Sequence, residues 1–358
     1  MMTVSSASAP FQYQSNCTLS EIAMRLRSAK RVLITTHSKP DGDAIGSVLA
    51  VLRLCRAVGV AAEGWIVGPF EENLLEVVGS DTVVRVDPKC PKFPEDEFDL
   101  VVVVDTGAWS QVELLAPLIR ARHALVVNLD HHARGDELAS ARVVDVTCGS
   151  CTALLVRLAD ELKVDLNFGA DASGRYSLAE ALYVGLATDT GWFRFANARA
   201  SEFALAARLL KAGVLKDELY ARLEQCHRVE RVLLESRALS SLRTIASGSV
   251  ALMQLSKEDF ETTGGLPEEL AGVVNIPLMA SVLRASVLLV EQDGVVKVSF
   301  RSKPAVASRR CIDVNQIAAT FGGGGHVHAA GARIRASLAE AAIQIERALD
   351  DALHQSSL

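Results

Sequence analysis

The sequence carries no surplus of positive charge, no long apolar run and no second CxxC pair, and each absence narrows what it can be. Lysine and arginine number 37 against 43 acidic residues, for a net charge of −6. A protein that tracks long nucleic acid carries a basic footprint, so a polynucleotide substrate is expected to be short, its charge met locally by metals and a few arginines. No apolar stretch approaches the roughly 18 residues that span a bilayer, so no membrane partner is expected. The first 17 residues are Ser/Ala-rich. They lack both the basic and the apolar region of a signal peptide and read as a disordered leader. Seven cysteines, an odd count scattered among apolar segments, fit buried thiols in a reducing cytoplasm. Cys148-Gly-Ser-Cys151 has redox spacing, but it is a lone pair just before a helix and reads as structural. There is no internal repeat. Nor is there a phosphate loop of the Gly-x-x-x-x-Gly-Lys type, because no lysine follows the glycines at 322–325 or those at 42 and 46.

What is present is an ordinary globular composition, 49% hydrophobic and 22% charged over 358 residues, enough for about two domains. The chain is organised around residues 31–46. Val32–Thr36 reads as a buried strand that delivers His37 to its carboxyl end, and Pro40 and Gly42 punctuate a loop holding Asp41 and Asp43 before a helix starts. Phe98–Asp105 and His123–Asp130 are continuous apolar runs ending in Asp105-Thr106-Gly107 and Asp130-His131-His132. That is how central parallel strands covered on both faces read. Strands alternate with helices up to Asp189, so the class is α/β, an N-terminal doubly wound and mainly parallel sheet. A helical connector leads to a smaller α+β domain. The expected divisions are a leader over 1–17, a catalytic domain over 18–197, a connector over 198–246 and a second domain over 247–358. Single helices are expected over 111–122 and 217–244.

Right-handed crossovers place every strand's carboxyl end on one edge. His37, Asp41, Asp43, Asp105, Asp130, His131, His132 and Asp189 all fall there. Each has a plainer explanation: Asp41 as a helix cap, Asp105 as a turn residue, the histidine pair as a polar loop. Coincidence of all of them on one edge is harder to explain that way. Two His and four Asp (His37, His131, Asp41, Asp43, Asp105, Asp189) are the right number for two divalent ions sharing a carboxylate, which supports in-line hydrolysis at phosphorus.

These residues carry a resemblance. The His37-x-x-x-Asp41-x-Asp43 loop, Val104-Asp105-Thr106, Asp130-His131-His132, Thr188-Asp189-Thr190-Gly191 and the tail Gly323-Gly324-Gly325-His326 stand in the order found in DHH-family phosphoesterases with a C-terminal DHHA1 domain. The chain resembles in particular the bacterial branch of oligoribonucleases that also act as 3′-phosphoadenosine-5′-phosphate phosphatases. The resemblance implies that His37 and Asp41 hold one metal and Asp43, His131 and Asp189 the other, with Asp105 bridging; the metal is typically manganese. It also implies that His132 faces the scissile phosphate, with Asp130 orienting the histidine pair. In the second domain it implies substrate contacts from Arg301, Ser302, Gly323, Gly324, Gly325 and His326, with His328 structural.

The function expected on this basis is a manganese-dependent exoribonuclease and nucleotidase. It would degrade short oligoribonucleotides to mononucleotides and convert adenosine 3′,5′-bisphosphate to AMP. Two alternatives stand beside it: a phosphodiesterase for pApA or cyclic dinucleotides, and a catalytically silent nucleotide-binding regulator. A homodimer is left open. The stretch Ala133–Glu137 and Trp109 depart from the family's usual pattern, which bears on substrate length and base preference rather than on the chemistry.

Overall fold

A computed structural model describes residues 11–68, 72–89, 91, 98–305 and 311–355. The chain forms two units, Met1–Cys226 and His227–Leu358.

In the first unit, Thr18 and Glu21 form the capping box that opens α1 (Leu19–Ser28). Then follow β1 (Arg31–Thr35), α2 (Gly42–Ala57), β2 (Ala61–Val67), β3 (Val83–Val86), β4 (Leu100–Val104), α3 (Ala116–Ala121), β5 (Val126–Asp130) and β6 (Ala141–Val144). The unit closes with α4 (Cys151–Leu162), α5 (Leu178–Asp189), α6 (Ala200–Lys211) and α7 (Lys216–Glu224). All six strands are parallel, in the order β3-β2-β1-β4-β5-β6. The winding reverses between β1 and β4. In open sheets wound this way, that reversal point beyond the strands' carboxyl ends is where ligands bind.

The sheet is buried on both faces, as its apolar runs require. Ile34, Val102 and Val104 join Ile45, Leu49, Leu154 and Leu182 in one core, while Leu33, Val101 and Val103 face Leu115 and Ile119 in another. Each such side chain stabilises by about 1.5–3 kcal/mol on leaving water. Residues 42–55 of α2 are all buried. Within that helix the Arg53 guanidinium is satisfied by Asp81 at 2.7 Å and by the carbonyls of Ser177 at 2.8 Å and Val77 at 2.9 Å.

The second unit runs α8 (Val229–Ser240), β7 (Arg243–Ile245), β8 (Val250–Leu255), α9 (Lys257–Thr263), β9 (Ala285–Gln292), β10 (Val295–Ser302), α10 (Val314–Ala319), β11 (Gly324–His326), β12 (Ala329–Ile334) and α11 (Leu338–Gln355). Its sheet order is β11-β12-β10-β9-β8-β7, with only β8 and β9 parallel.

Several expectations are corrected. Residues 11–17 are not a disordered leader. They lie along β6, where Asn16 N–H donates to Arg142 O at 3.0 Å and Val144 N–H to Ser15 Oγ at 2.9 Å; residues 1–10 lie outside the described residues. The helix expected over 111–122 is α3 preceded by two single 3-10 turns. The helix expected over 217–244 breaks into α7 and α8, with 243–245 extended as β7. The stretch 198–246 is therefore divided, α6 and α7 lying in the first unit and α8 in the second.

Candidate metal centre

β1 and β4 flank the reversal point, and His37 and Asp105 stand just past their ends. His37 turns Nδ1 to the carbonyl of Ser38 at 3.1 Å. A ring nitrogen bound to a carbonyl keeps its proton, so Nε2 is the nitrogen that offers a lone pair once the ring is neutral. Nε2 lies 3.6 Å from Asp105 Oδ2 and 3.8 Å from Asp41 Oδ1. Asp41 also caps α2, accepting from the amides of Asp43 and Ala44, each at 3.1 Å. The plain reading of Asp41 as a helix cap holds, and the same carboxylate oxygen faces His37.

Asp105 is buried and adopts φ +59. That left-handed backbone costs a non-glycine residue about 1–2 kcal/mol and is the kind of strain found at functional sites. One oxygen faces His37. The other, Oδ1, is buried without a hydrogen-bond partner among the described residues, 3.4 Å from His131 Nε2.

β5 supplies the histidine pair. Asp130 Oδ1 accepts the amides of His131 at 2.8 Å and His132 at 3.3 Å, and holds His132 Nδ1 at 2.7 Å. His131 Nδ1 points to Cys148 O at 3.4 Å, again freeing Nε2, which stands 3.8 Å from both Asp43 Oδ2 and Asp189 Oδ2. His132 leaves its Nε2 on an imidazole that is half exposed.

Asp43 and Asp189 come from helices that cross at glycines. A Cβ on Gly46 would sit 2.6 Å from Ala181 O, and one on Gly185 would sit 2.3 Å from Asp43 Oδ1. Hydrogen atoms at these positions let α2 and α5 close on each other. Asp43 then meets the first turn of α4, accepting from Cys151 N at 2.6 Å and Thr152 N at 3.0 Å, amides that a helix start leaves free. Cys151 is a buried anchor whose thiol donates to Leu129 O at 3.3 Å. After Asp189 the chain turns through three consecutive positive-φ residues, Gly191, Trp192 and Phe193, and returns Asn197 Nδ2 to Asp189 O at 3.1 Å. Asn197 and the α4 amides support the site and were not read from the sequence. The Ser150 cap before an apolar run was the available signal for the latter.

The ligand atoms fall into groups: His37 with Asp41 and Asp105; Asp43 with His131 and Asp189; and Asp105 with His131 and His132. Two donors bound at about 2.1 Å to one cation lie about 3.0–3.8 Å apart, the spacing seen here. The unpartnered Asp105 Oδ1 and two free Nε2 atoms fit such an ion. In the absence of a cation the acids act on each other and on the imidazoles. Burial, together with the charges of Asp105 and Asp189, raises Asp43, and burial with Asp105 and Asp41 lifts Asp189 to about 6. Burial opposes charge on the imidazoles. The carboxylates outweigh it, pushing His37 up to about 10 and His131 up to about 9. Hydrogen bonding to Asp130 raises His132.

In the second unit Arg301 on β10 and His326 on β11 both pair with Ala329 on the intervening β12, so the two side chains share one sheet face. Arg301 is half-buried, its Nη1 on Phe300 O at 2.9 Å. Ser302 is buried, its hydroxyl 3.3 Å from Val327 O and 3.1 Å from His328 Nδ1. Gly323 and Gly325 have a local reason to be glycine: a Cβ would meet Gly331 O at 2.2 Å or Ala329 O at 2.3 Å. A Cβ on Gly324 would meet only Asn315 Oδ1, at 3.9 Å, among the described residues.

The DHH family, N-terminal domain, matches residues 31–186, and the DHHA1 domain matches 250–355. The bifunctional oligoribonuclease and PAP phosphatase NrnA of Thermus thermophilus is 31% identical over 85% of this chain and 84% of its own length. The cyclic-di-AMP phosphodiesterase PdeA of Listeria monocytogenes is 27% identical over 91% of this chain, which spans 48% of that relative. The crystal structure of an exopolyphosphatase-related protein from Bacteroides fragilis superposes with a TM-score of 0.79 over 93% of this chain and 95% of its own, at 24% identity, a likeness of fold. The chain belongs to the DHH family of phosphoesterases with a DHHA1 domain.

Proposed function

We propose that the protein is a two-metal phosphohydrolase that degrades short oligoribonucleotides to mononucleotides and converts adenosine 3′,5′-bisphosphate to AMP, with manganese as its metal. One observation carries this reading: the two oxygens of Asp105 face two separate groups of donors, His37 with Asp41, and His131 with Asp43 and Asp189. Carboxylate oxygens with imidazole nitrogens suit manganese. Asp105 would bridge the pair, His37 and Asp41 would hold one ion, and Asp43, His131 and Asp189 the other. Two divalent ions so placed stabilise both the attacking and the leaving oxygen of an in-line displacement at phosphorus. Asp130 holds His132 Nδ1 and favours the protonated ring, so His132 can direct Nε2–H at the scissile phosphate and offset the charge that develops there.

Arg301 and His326 are assigned to the nucleotide's phosphates. A planar guanidinium suits two phosphate oxygens at once. Gly324 gives the backbone room to approach, whereas Gly323, Gly325 and Ser302 shape the hairpin that carries His326. Catalysis is thereby assigned to the DHH part over 18–197 and substrate binding to the DHHA1 part over 247–358.

The likeness to a cyclic-di-AMP phosphodiesterase supports a second reading, cleavage of pApA or cyclic dinucleotides. A product time course with purified protein and Mn²⁺ tests both. It compares RNAs of two to ten nucleotides, adenosine 3′,5′-bisphosphate and cyclic-di-AMP. Release of mononucleotide from the shortest RNAs, and of phosphate from the bisphosphate, is the expected result. Cleavage of the cyclic dinucleotide alone supports the second reading, and binding without release of any product identifies a silent nucleotide-binding protein.

A further inference from the structure

Tyr13 lies in the stretch expected to be disordered, yet its hydroxyl reaches the support of the histidine pair. Tyr13 Oη stands 2.5 Å from Asp130 Oδ2 and 2.9 Å from Asn128 Oδ1. One hydroxyl proton cannot serve both fully, and the charged carboxylate at the shorter distance takes it. Asn128 is fixed by its own amide, which donates to Val103 O at 3.1 Å and Thr106 O at 2.7 Å, and this turns its oxygen toward Tyr13. Asp130 is fully buried. Its other oxygen carries the His131 and His132 amides and His132 Nδ1.

The tyrosine sits in a built slot. A Cβ on Gly107 would lie 2.0 Å from Tyr13 Oη, and one on Gly135 would lie 2.5 Å from its ring. Both glycines sit beside the centre, one just after Asp105-Thr106 and the other just after His132. The slot is tied together by Asp136, whose N–H donates to Gly107 O at 2.8 Å and whose Oδ2 accepts from Trp109 N at 2.8 Å. Gly135 and Asp136, within the departing stretch 133–137, and Trp109 thus lie at or beside this slot. The segment is anchored along its length: Arg142 Nε donates to Gln14 O at 2.9 Å, Asn16 Nδ2 to Ser140 O at 3.0 Å, and the Arg142 guanidinium lies over the Phe11 ring.

We propose that Tyr13 is a positioning residue of the phosphoesterase centre: by holding Asp130 Oδ2 it fixes the carboxylate that aims His132 at the substrate and seats the His131 backbone. This rests on the phosphoesterase reading above. Groups that orient a ligand or a catalytic imidazole from behind typically carry a 10–100-fold effect when removed.

The test is Tyr13→Phe, which keeps the ring in the slot and removes only the hydroxyl, together with Gly135→Ala, which displaces the ring, and the double variant. Each is measured for kcat and KM with Mn²⁺ on adenosine 3′,5′-bisphosphate and a dinucleotide, for Tm, and by imidazole ¹H–¹⁵N NMR of the His132 Nδ1–H. Tyr13→Phe should lower kcat about tenfold, leave KM within about twofold, lower Tm by only a few degrees for the one hydrogen bond lost and shift the His132 signal. Gly135→Ala should reproduce the loss, and the double variant should fall no further than the worse single one, because both act through one contact. Wild-type kcat with an unmoved His132 signal in Tyr13→Phe overturns the proposal, as does a loss of rate that merely follows a loss of folded protein. Should the wild-type protein turn over neither substrate, the phosphoesterase reading fails by itself, and the NMR comparison alone decides whether Tyr13 positions the pair.

Discussion

At the scale of single residues, the centre works by committing one atom of each side chain so that another is left for chemistry. His37 and His131 spend Nδ1 on backbone carbonyls, and His132 spends it on Asp130. Asp105 divides its oxygens between two groups of donors. Asp105→Asn should therefore cost more than the ~100-fold typical of a residue one contact removed, and calorimetric Mn²⁺ titration should show a weakened and simplified isotherm; near-normal turnover would contradict the bridging role. The same crowding gives a pH dependence. His37 at about 10 and His131 at about 9 carry protons at pH 7 when no cation is bound, and Asp189 at about 6 adds to them below that. Burial with the charges of Asp105 and Asp189 makes Asp43 hold its proton more tightly than an ordinary carboxyl. A cation must displace those protons, so its affinity should rise with pH from about 6 to about 10, with protons released on binding. Titration at pH 7 in two buffers of different ionisation heat measures the release, and a buffer-independent heat would refute it. The identities of these residues were legible because His and Asp are out of place at the ends of apolar strands. The positive φ of Asp105, Asn197 folding back on Asp189 and Tyr13 reaching Asp130 were not, because each depends on contacts between distant parts of the chain.

Among the elements, the crossing of α2 and α5 brings Asp43 and Asp189 together, each 3.8 Å from His131 Nε2, as the proposed shared cation requires. Gly185→Ala places a methyl 2.3 Å from Asp43 Oδ1 and 2.4 Å from Thr152 Cγ2. Overpacking of this kind costs about 1–3 kcal/mol. It should also displace Asp43 from the start of α4, so the variant should show a lower Tm and a weaker affinity for Mn²⁺ together. A drop in Tm with unchanged metal affinity would separate the crossing from the site. The long strands were readable because a parallel sheet covered on both faces demands unbroken apolar runs, which β4 and β5 possess. β12, Ala-Ala-Gly-Ala-Arg-Ile, has one β-branched residue, at its end, and β11 is Gly-Gly-His. β12 owes its extension to the neighbouring β10, and β11 in turn to β12, not to propensity. The break between α7 and α8 was hidden for a similar reason: each helix has helical spacing of its own, and the residues between them include neither glycine nor proline.

For the molecule as a whole, a net charge of −6 sits with a site whose strongest local feature is a ring of acids. Such a chain has little to hold a long polyanion beyond its cations and a few guanidiniums. Affinity for substrate should thus reside largely in contacts such as that of Arg301, while the rate of cleavage resides in the DHH centre. The two are separable in kinetics. Arg301→Ala removes a charge-assisted contact of about 1.5–3 kcal/mol, so KM for a dinucleotide should rise about 10–100-fold with a smaller change in kcat, the reverse of the pattern in Asp105→Asn. The length dependence follows from the same balance. Each added nucleotide brings another phosphate to a chain of net charge −6, so kcat/KM should fall steadily from two to ten nucleotides and depend only weakly on salt, since few counterions are released. A rate that climbs with length and collapses at high salt would show instead that a basic track exists which neither the composition nor the placement of Arg301 accounts for.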